Sequence, residues 1–286
     1  MKMAVIGCGL IGGSMALSWK RAGIIDEVIA FGHNPATLQK ALDKGAADDV
    51  TTSMEEAVKN ADIVVSAVPV EAMESVFTEM APFLKPNAVV TDVGSTRQTV
   101  IGAARKGLGE KFHQYAPAHP IAGGEMPGVD YASADLFDEK VVISTPDDGM
   151  DPKVVAFIED AWRKAGARVQ TMSPLQHDLT FASVSHLPHV LAYALVDMIA
   201  KEENAQEKLK MAGAGFRDFT RIASSSPVMW RDICLSNREA LSQELKRYRA
   251  SLDTLQKYID ESDGEALESV FENAVRNRRG LVFPGK

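Results

Sequence analysis

Cysteine is scarce: Cys8 and Cys234 are the two in a chain of 286 residues. Two thiols are too few for a disulfide framework or a zinc site, so they read as free side chains, and no metal site is expected. A reducing, cytoplasmic setting fits them. Clustered Lys and Arg are missing as well. With a net charge of −8 and a pI near 5.3, nucleic acid and anionic membrane surfaces are not expected partners. No stretch approaches the roughly 20 apolar residues of a membrane span. Strand-like sequence begins almost at Met1, so a signal or transit peptide is not expected either. Internal repeats and low-complexity stretches are also missing. What remains, 45% hydrophobic and 24% charged, is the composition of an ordinary globular protein long enough for two domains.

The most informative segment present is the first one. Met3-Ala4-Val5-Ile6 is a short apolar run of strand character, and it leads into Gly7-Cys8-Gly9-Leu10-Ile11-Gly12 and then Gly13-Ser14-Met15-Ala16-Leu17, which is helical in character. A Gly-x-Gly-x-x-Gly turn between strand and helix suits a dinucleotide. The first glycine permits the tight turn, the second lets the backbone approach a pyrophosphate, and the third allows close packing of helix on strand, with the phosphates over the helix N-terminus. The plainer reading is a glycine-rich turn in an ordinary α/β domain.

From the N-terminus to about residue 172, β-branched runs alternate with amphipathic helical stretches. Strands are expected at Met3–Gly7, Glu27–Phe31, Asp62–Val68, Ala88–Val93, Gln114–Ala118, Lys140–Ser144 and Ala167–Met172. Helices are expected at Pro35–Lys44, Val70–Leu84, Arg97–Lys106 and Pro152–Ala165. This is the pattern of an α/β, Rossmann-type doubly wound sheet covered on both faces. After Ser173-Pro174 the strand signal ends, and helical periodicity runs through Thr180–Ala200, Val228–Tyr258 and Glu265–Arg278. The expected division is a dinucleotide-binding domain over 1–172 and an all-α domain over 173–286. Ile199–Met211 and Ala240–Ile259 mix apolar stripes with charge. They suit either packing within the chain or pairing with a second copy.

The end of the second strand bears on the cofactor. A site of this kind usually places Asp or Glu there to bind the ribose 2′-hydroxyl of NAD. Here the strand ends Phe31-Gly32-His33-Asn34-Pro35, with no acid to repel a 2′-phosphate. His33, Asn34 and Thr37 could hydrogen-bond one. NADP is the favoured cofactor and NAD the alternative, since no arginine supplies the usual positive charge; His33 could equally be an ordinary loop histidine. Val68-Pro69 and Asp92-Val93-Gly94-Ser95-Thr96 follow other strands, where ligands of open sheets bind, although Ser95 and Thr96 could simply cap a helix. The cofactor set is therefore Gly7, Gly9, Leu10, Ile11, Gly12, Gly32, His33, Asn34, Val68, Pro69 and Ser95.

His119 stands at the end of a further strand, before Pro120 and a glycine-rich turn reaching Glu125. A histidine held beside a nicotinamide can take a hydroxyl proton as hydride leaves. In the helical part, Ser185-His186-Leu187-Pro188-His189 should kink at Pro188. Arg217 and Arg221 lie four apart, so a helix would turn both toward one cleft, where they could hold carboxylates. Solvated arginines are the plainer alternative.

Five ordered motifs carry a resemblance that runs from Met3 to about Arg249. Val5 to Ser14, Asp92-Val93-Gly94-Ser95, His119 to Gly123, Ser185 to His189 and Gly215 to Ala223 resemble the prephenate/arogenate (cyclohexadienyl) dehydrogenases of tyrosine biosynthesis. The resemblance implies a nucleotide-binding domain followed by a helical domain that makes a homodimer. It also implies oxidative decarboxylation of prephenate and/or L-arogenate, giving 4-hydroxyphenylpyruvate and/or L-tyrosine, with hydride passing to NAD(P)+. By the same resemblance His119 is the catalytic base and Ser95 its hydrogen-bonding partner. Arg221 and His189 bind substrate, while Glu125, Arg217 and Asp218 form an ionic network at the pocket entrance. Trp230 and Arg231 extend the likeness. At this length neither an ACT domain nor a fused mutase is expected. Two other classes compete: a 3-hydroxyacid or 6-phosphogluconate-type dehydrogenase, which would need a catalytic lysine that Lys201, Lys208 and Lys210 do not suggest, and a non-catalytic dinucleotide sensor, which would have no use for His119, Ser95 and Arg221 together.

Overall fold

A computed structural model of the chain describes residues 1–124 and 126–281. Its first part alternates strand and helix: β1 (Lys2–Ile6), α1 (Leu10–Arg21), β2 (Glu27–Phe31), α2 (Pro35–Asp43), β3 (Asp49–Thr51), α3 (Met54–Val58), β4 (Ile63–Ser66), α4 (Met73–Met80), β5 (Val89–Asp92), α5 (Arg97–Leu108) and β6 (Tyr115–Ala116). These strands form a 6-stranded sheet in the order β3-β2-β1-β4-β5-β6, parallel at every pairing. β4 is buried throughout and β1 and β2 are buried but for their first residue, which is why their sequences are continuous apolar runs. Strand order reverses between β1 and β4, and the crevice at their carboxyl ends is where a doubly wound sheet takes a ligand.

A second, 3-stranded sheet follows, built from β7 (Ala118–Pro120), β8 (Val141–Ser144) and β9 (Arg168–Thr171). β7 runs antiparallel to β8, and β9 parallel to it. The single strand expected over Gln114–Ala118 is thus two strands that belong to different sheets. The reason is Pro117, which lies between them: it has no N–H to continue a ladder. α6 (Pro152–Lys164) lies between β8 and β9. It is started by the Asp151 carboxylate, which accepts from the Lys153 amide at 2.8 Å. Its Trp162 packs edge-on against Trp19 of α1, ring centroids 5.6 Å apart. β3 and α3 were not expected from sequence. Each is five residues or fewer, too short for either hydrophobic period to show.

Beyond Pro174 the chain is helical: α7 (Pro174–Phe181), a π-helical turn at Ala182–His186, α8 (Leu187–Ala200), α9 (Ala205–Lys210), α10 (Ala214–Thr220), α11 (Pro227–Ser236), α12 (Arg238–Asp260) and α13 (Gly264–Arg279). Two expectations need correction. The helix expected over Val228–Tyr258 is broken at Asn237, which sits between α11 and α12 with φ −112° and ψ 32°. And the Pro174–Ala200 segment, 27 residues of continuous helix with 22% of its most apolar window buried, is long and apolar enough to cross a membrane by length and composition. It reaches that length because the irregularity expected at Pro188 appears one turn earlier as a π turn, with Pro188 at the start of α8, so the helix is distorted without ending. The segment also carries His177, Asp178 and His186, all buried against the rest of the protein.

Candidate active site

The glycine turn is demanded by the fold before any ligand is considered. Gly7 has φ +92°, and a Cβ there would stand 2.7 Å from the Ala67 carbonyl oxygen; one on Gly12 would stand 2.5 Å from the Gly7 oxygen. Neither position admits a side chain. Gly9 differs, since a Cβ there meets nothing within 4 Å. The space above it is open, and no side chain caps the first turn of α1. The amides that open this helix, Leu10 and Ile11 among them, are therefore disposed to receive an anion. Val68 approaches the same turn, its Cγ1 lying 3.1 Å from a Cβ built on Gly7, and the exposed Pro69 follows it in the loop after β4. An open cradle, uncapped amides and flanking apolar residues together fit a dinucleotide.

At the end of β2 a Cβ on Gly32 would come to 3.4 Å from Leu38 Cδ2, ordinary contact distance. Nothing steric keeps an acid from this position. His33 is exposed, edge-on to Phe31 at 5.2 Å. Asn34 has a structural duty that the sequence reading did not assign: its Oδ1 accepts from the Ala36 amide at 2.9 Å and caps α2.

His119 lies in β7, paired across the ladder with Ile143. Its Nδ1 is 2.8 Å from His177 Nε2, and His177 Nδ1 is 2.9 Å from Asp178 Oδ1. The family resemblance implied Ser95 as the partner of His119. Instead Ser95 is half-buried, and among the described residues its hydroxyl makes no side-chain hydrogen bond to His119. At Nδ1 the partner comes from the helical part. α7 brings an imidazole to the Nδ1 side of His119, and Phe181 flanks both rings, stacking on His177 at 4.4 Å.

Asp178 also decides how α5 begins. Its Oδ1 accepts from the Arg97 amide at 2.7 Å and its Oδ2 from the Gln98 amide at 2.9 Å. The cap of α5 thus comes from α7, whereas the Thr96 side chain makes no cap bond and its hydroxyl is buried without a partner. Burial works against the charge on Asp178, but His177 and these two amides outweigh it, so its pKa falls below the ordinary carboxylate value. Beneath it, Arg97 is fully buried against Asp92. Arg97 Nη2 donates to Asp92 Oδ2 at 2.6 Å, and its Nη1 donates to the Ala118 carbonyl at 3.0 Å, one residue before His119. Tyr115 and the Gly94 amide donate to the same carboxylate at 2.6 and 2.7 Å. Burial first, then His177, Arg97 and His186, push the His119 pKa well below its usual value, so the ring is neutral near pH 7.

From the helical part, His189 Nδ1 bonds the Ser185 carbonyl at 2.8 Å, across the π turn, and its ring stacks on Trp230 at 3.6 Å. Its pKa is lowered mainly by burial, with Arg221 acting in the same sense, so Arg221 is close enough for its charge to be felt. Arg217 is placed differently. α10 ends at Thr220, and Arg221, itself in helical conformation at φ −49° and ψ −42°, opens a 3-10 turn that continues from it. Arg217 is exposed and pairs with the adjacent Asp218 at 3.6 Å, on the surface. Glu125 lies outside the described residues. The loop after β7 does return to the nucleotide side, where a Cβ on Gly124 would stand 3.3 Å from Leu10 Cδ2. His177, Asp178 and Arg97 were missed from sequence. The signals available were an Arg in the first turn of a helix, where its charge opposes the dipole, and a His-Asp pair in an apolar helix.

Known proteins resemble this arrangement along nearly its full length. Residues 15–171 match the model of the prephenate dehydrogenase nucleotide-binding domain, and residues 173–273 that of the prephenate dehydrogenase dimerization domain. A cyclohexadienyl dehydrogenase of Zymomonas mobilis is 36% identical over 281 residues, covering 98% of this chain and 95% of that one. A prephenate dehydrogenase of Bacillus subtilis is 35% identical, covering 98% of this chain and 76% of its own. Among solved structures, the prephenate dehydrogenase of A. aeolicus in complex with hydroxyphenyl propionate and NAD+ superposes with a TM-score of 0.90 at 34% identity, covering 98% of each chain.

Proposed function

The chain belongs to the prephenate dehydrogenase family, and on that premise we propose that it oxidatively decarboxylates prephenate and/or L-arogenate, using NADP in preference to NAD. The observation that carries the catalytic part is His119: a neutral imidazole held at Nδ1, with no partner for Nε2 among the described residues, on the strand whose following loop returns to the glycine turn. Nε2 is the atom that accepts the proton of the substrate's 4-hydroxyl. A bound nicotinamide cofactor would supply the hydride acceptor for C4, and loss of CO2 from C1 would then leave the aromatic ring. Leu10 and Ile11 would hold the phosphates through their amides, Gly9 would leave them room, and Gly32, His33, Asn34, Val68, Pro69 and Ser95 would line the cofactor's path. Arg221 receives a substrate carboxylate as a bidentate partner, and His189, stacked on Trp230, stands beside it.

The NADP preference rests on Gly32, where an acid would fit and none is present. The working division is a dinucleotide-binding domain over 1–172 and a substrate and dimerisation domain over 173–286. A homodimer is supported by α13, which has no buried residue although Leu267, Phe271 and Val275 line one groove along it. Such a face suits a second copy. Cytoplasmic placement accords with the two unpaired thiols. Initial rates of reduced-cofactor formation, taken with prephenate and with arogenate against NAD and NADP, test this reading. Turnover of either substrate with NADP favoured is expected; no turnover in any of the four combinations refutes it.

A further inference from the structure

We infer that His177 and Asp178 are positioning residues for proton abstraction: they fix the tautomer of His119 and share the charge it acquires. The inference rests on the reading of His119 as the base and adds residues from the helical part to that step. Asp178 accepts from two amides of α5, and an ionised carboxylate can only accept, so the hydrogen between it and His177 belongs to His177 Nδ1. His177 then has a lone pair at Nε2. That lone pair faces His119 Nδ1, which must carry the hydrogen of the bond between them. His119 is left with its lone pair on Nε2, the one nitrogen of the four not used in the chain. A single carboxylate thus sets two imidazoles in series, by the logic that makes a buried Asp orient the histidine of a catalytic triad.

Charge follows the same path. When Nε2 takes the hydroxyl proton, the positive ring is held through Nδ1–H by His177, whose own Nδ1–H points at the carboxylate. The groups facing His177 are Asp178 on its own helix, His119 from β7, Arg97 from α5, Asp92 from β5 and His186 from the π turn. Arg97 opposes a charge there and is neutralised by Asp92 at 2.6 Å. Asp178 is the anion in direct contact. Its double grip on α5 keeps it in place, so the register between the helical part and the sheet is also the register of the proton acceptor.

Substitution at His177 separates the two roles. In His177→Gln the amide oxygen can still accept from His119 Nδ1–H and hold the tautomer, but it cannot share charge; His177→Leu does neither. Expected for the Leu variant is a fall in kcat of about 100-fold, with cofactor Kd unchanged. The Gln variant should stay within about tenfold of wild type in kcat, while the acid limb of kcat/KM moves to lower pH by about one unit, because the imidazolium has lost its acceptor with the carboxylate behind it. Equal kcat in the Leu and Gln variants, or an acid limb that stays in place in the Gln variant, overturns the inference in favour of packing. Should the Leu variant fail to bind cofactor, the Gln pH profile decides alone. His119→Asn in the same assay keeps the two readings apart: full turnover there removes the base itself, whereas a dead Asn variant beside unaffected His177 variants removes the relay and leaves the base.

Discussion

The part of the chain before residue 172 and the helices after it bury their sequences to different extents. In the first, α1, α4 and α6 each turn a row of residues inward, among them Trp19, Phe77 and Trp162, onto strands buried along nearly their whole length. In the second, the 23-residue α12 buries Ala240 and Leu241, and the 16-residue α13 buries nothing. Apolar side chains at Leu252, Ile259, Phe271 and Val275 remain exposed. A sheet domain closes its core within one chain, while these helices have an apolar face still to cover. The proposed site draws on both: the glycine turn and His119 from the closed part, and His177, Asp178, His189 and Arg221 from the open one.

The comparison can be tested at each of these points. The largest effect is expected from the closed part: His119→Asn should lower kcat by roughly 10²- to 10⁴-fold and leave cofactor affinity nearly intact, because it removes a general base and no phosphate contact. Steady-state kinetics with a cofactor titration check it; unchanged turnover would dismiss the assignment. From the open part, Arg221→Ala should cost about 2–4 kcal/mol, chiefly through a raised KM, if a substrate carboxylate loses its charged partner. Loss of cofactor binding in this variant, with substrate affinity preserved, would place Arg221 on the other side of the cleft.

Two further changes sharpen the contrast. Phe271→Asp puts a charge in the middle of the exposed row on α13, and light scattering should show the mass falling toward the 30.9 kDa of one chain, with activity lost because the helices holding Arg221 and His189 lose their support. A variant that remains dimeric and fully active would mean that α13 is not the paired face. The smallest effect should come from Gly32→Asp. It adds a carboxylate where there is room, and should weaken NADP roughly tenfold while changing NAD less. A wild type that already prefers NAD would instead assign the ribose hydroxyls to His33 or Asn34.

What sequence could reveal differs between the parts for the same physical reason. Strands buried on both faces write themselves as apolar runs, so β1, β2, β4, β5 and β8 were expected within two residues of where they lie, and the largely exposed β9 was expected as closely from its place after α6. Helix periodicity marked the helical part but not its joints. Asn237 breaks a helix with side-chain bonds to the Asp178 carbonyl at 2.8 Å and to His186 at 3.1 Å, contacts between residues more than fifty positions apart. The partner of His119 was hidden likewise. Adjacent residues on a helix do not ordinarily face each other, so nothing local indicates that His177 and Asp178 meet, or that both meet β7 and α5.

Asp92, fully buried, collects four hydrogen bonds: from Tyr115, from the Gly94 amide and two from Arg97. Removing one partner of such a buried pair leaves the other charge stranded, at a cost of about 3–5 kcal/mol, whereas replacing the whole set by apolar residues of similar volume is often neutral. The stretch beneath the site therefore has few single-step neighbours in sequence space. A lineage could drift freely over the exposed helices while Asp92, Arg97 and Tyr115 change together or not at all, so substitutions there should be viable in combinations that fail one by one.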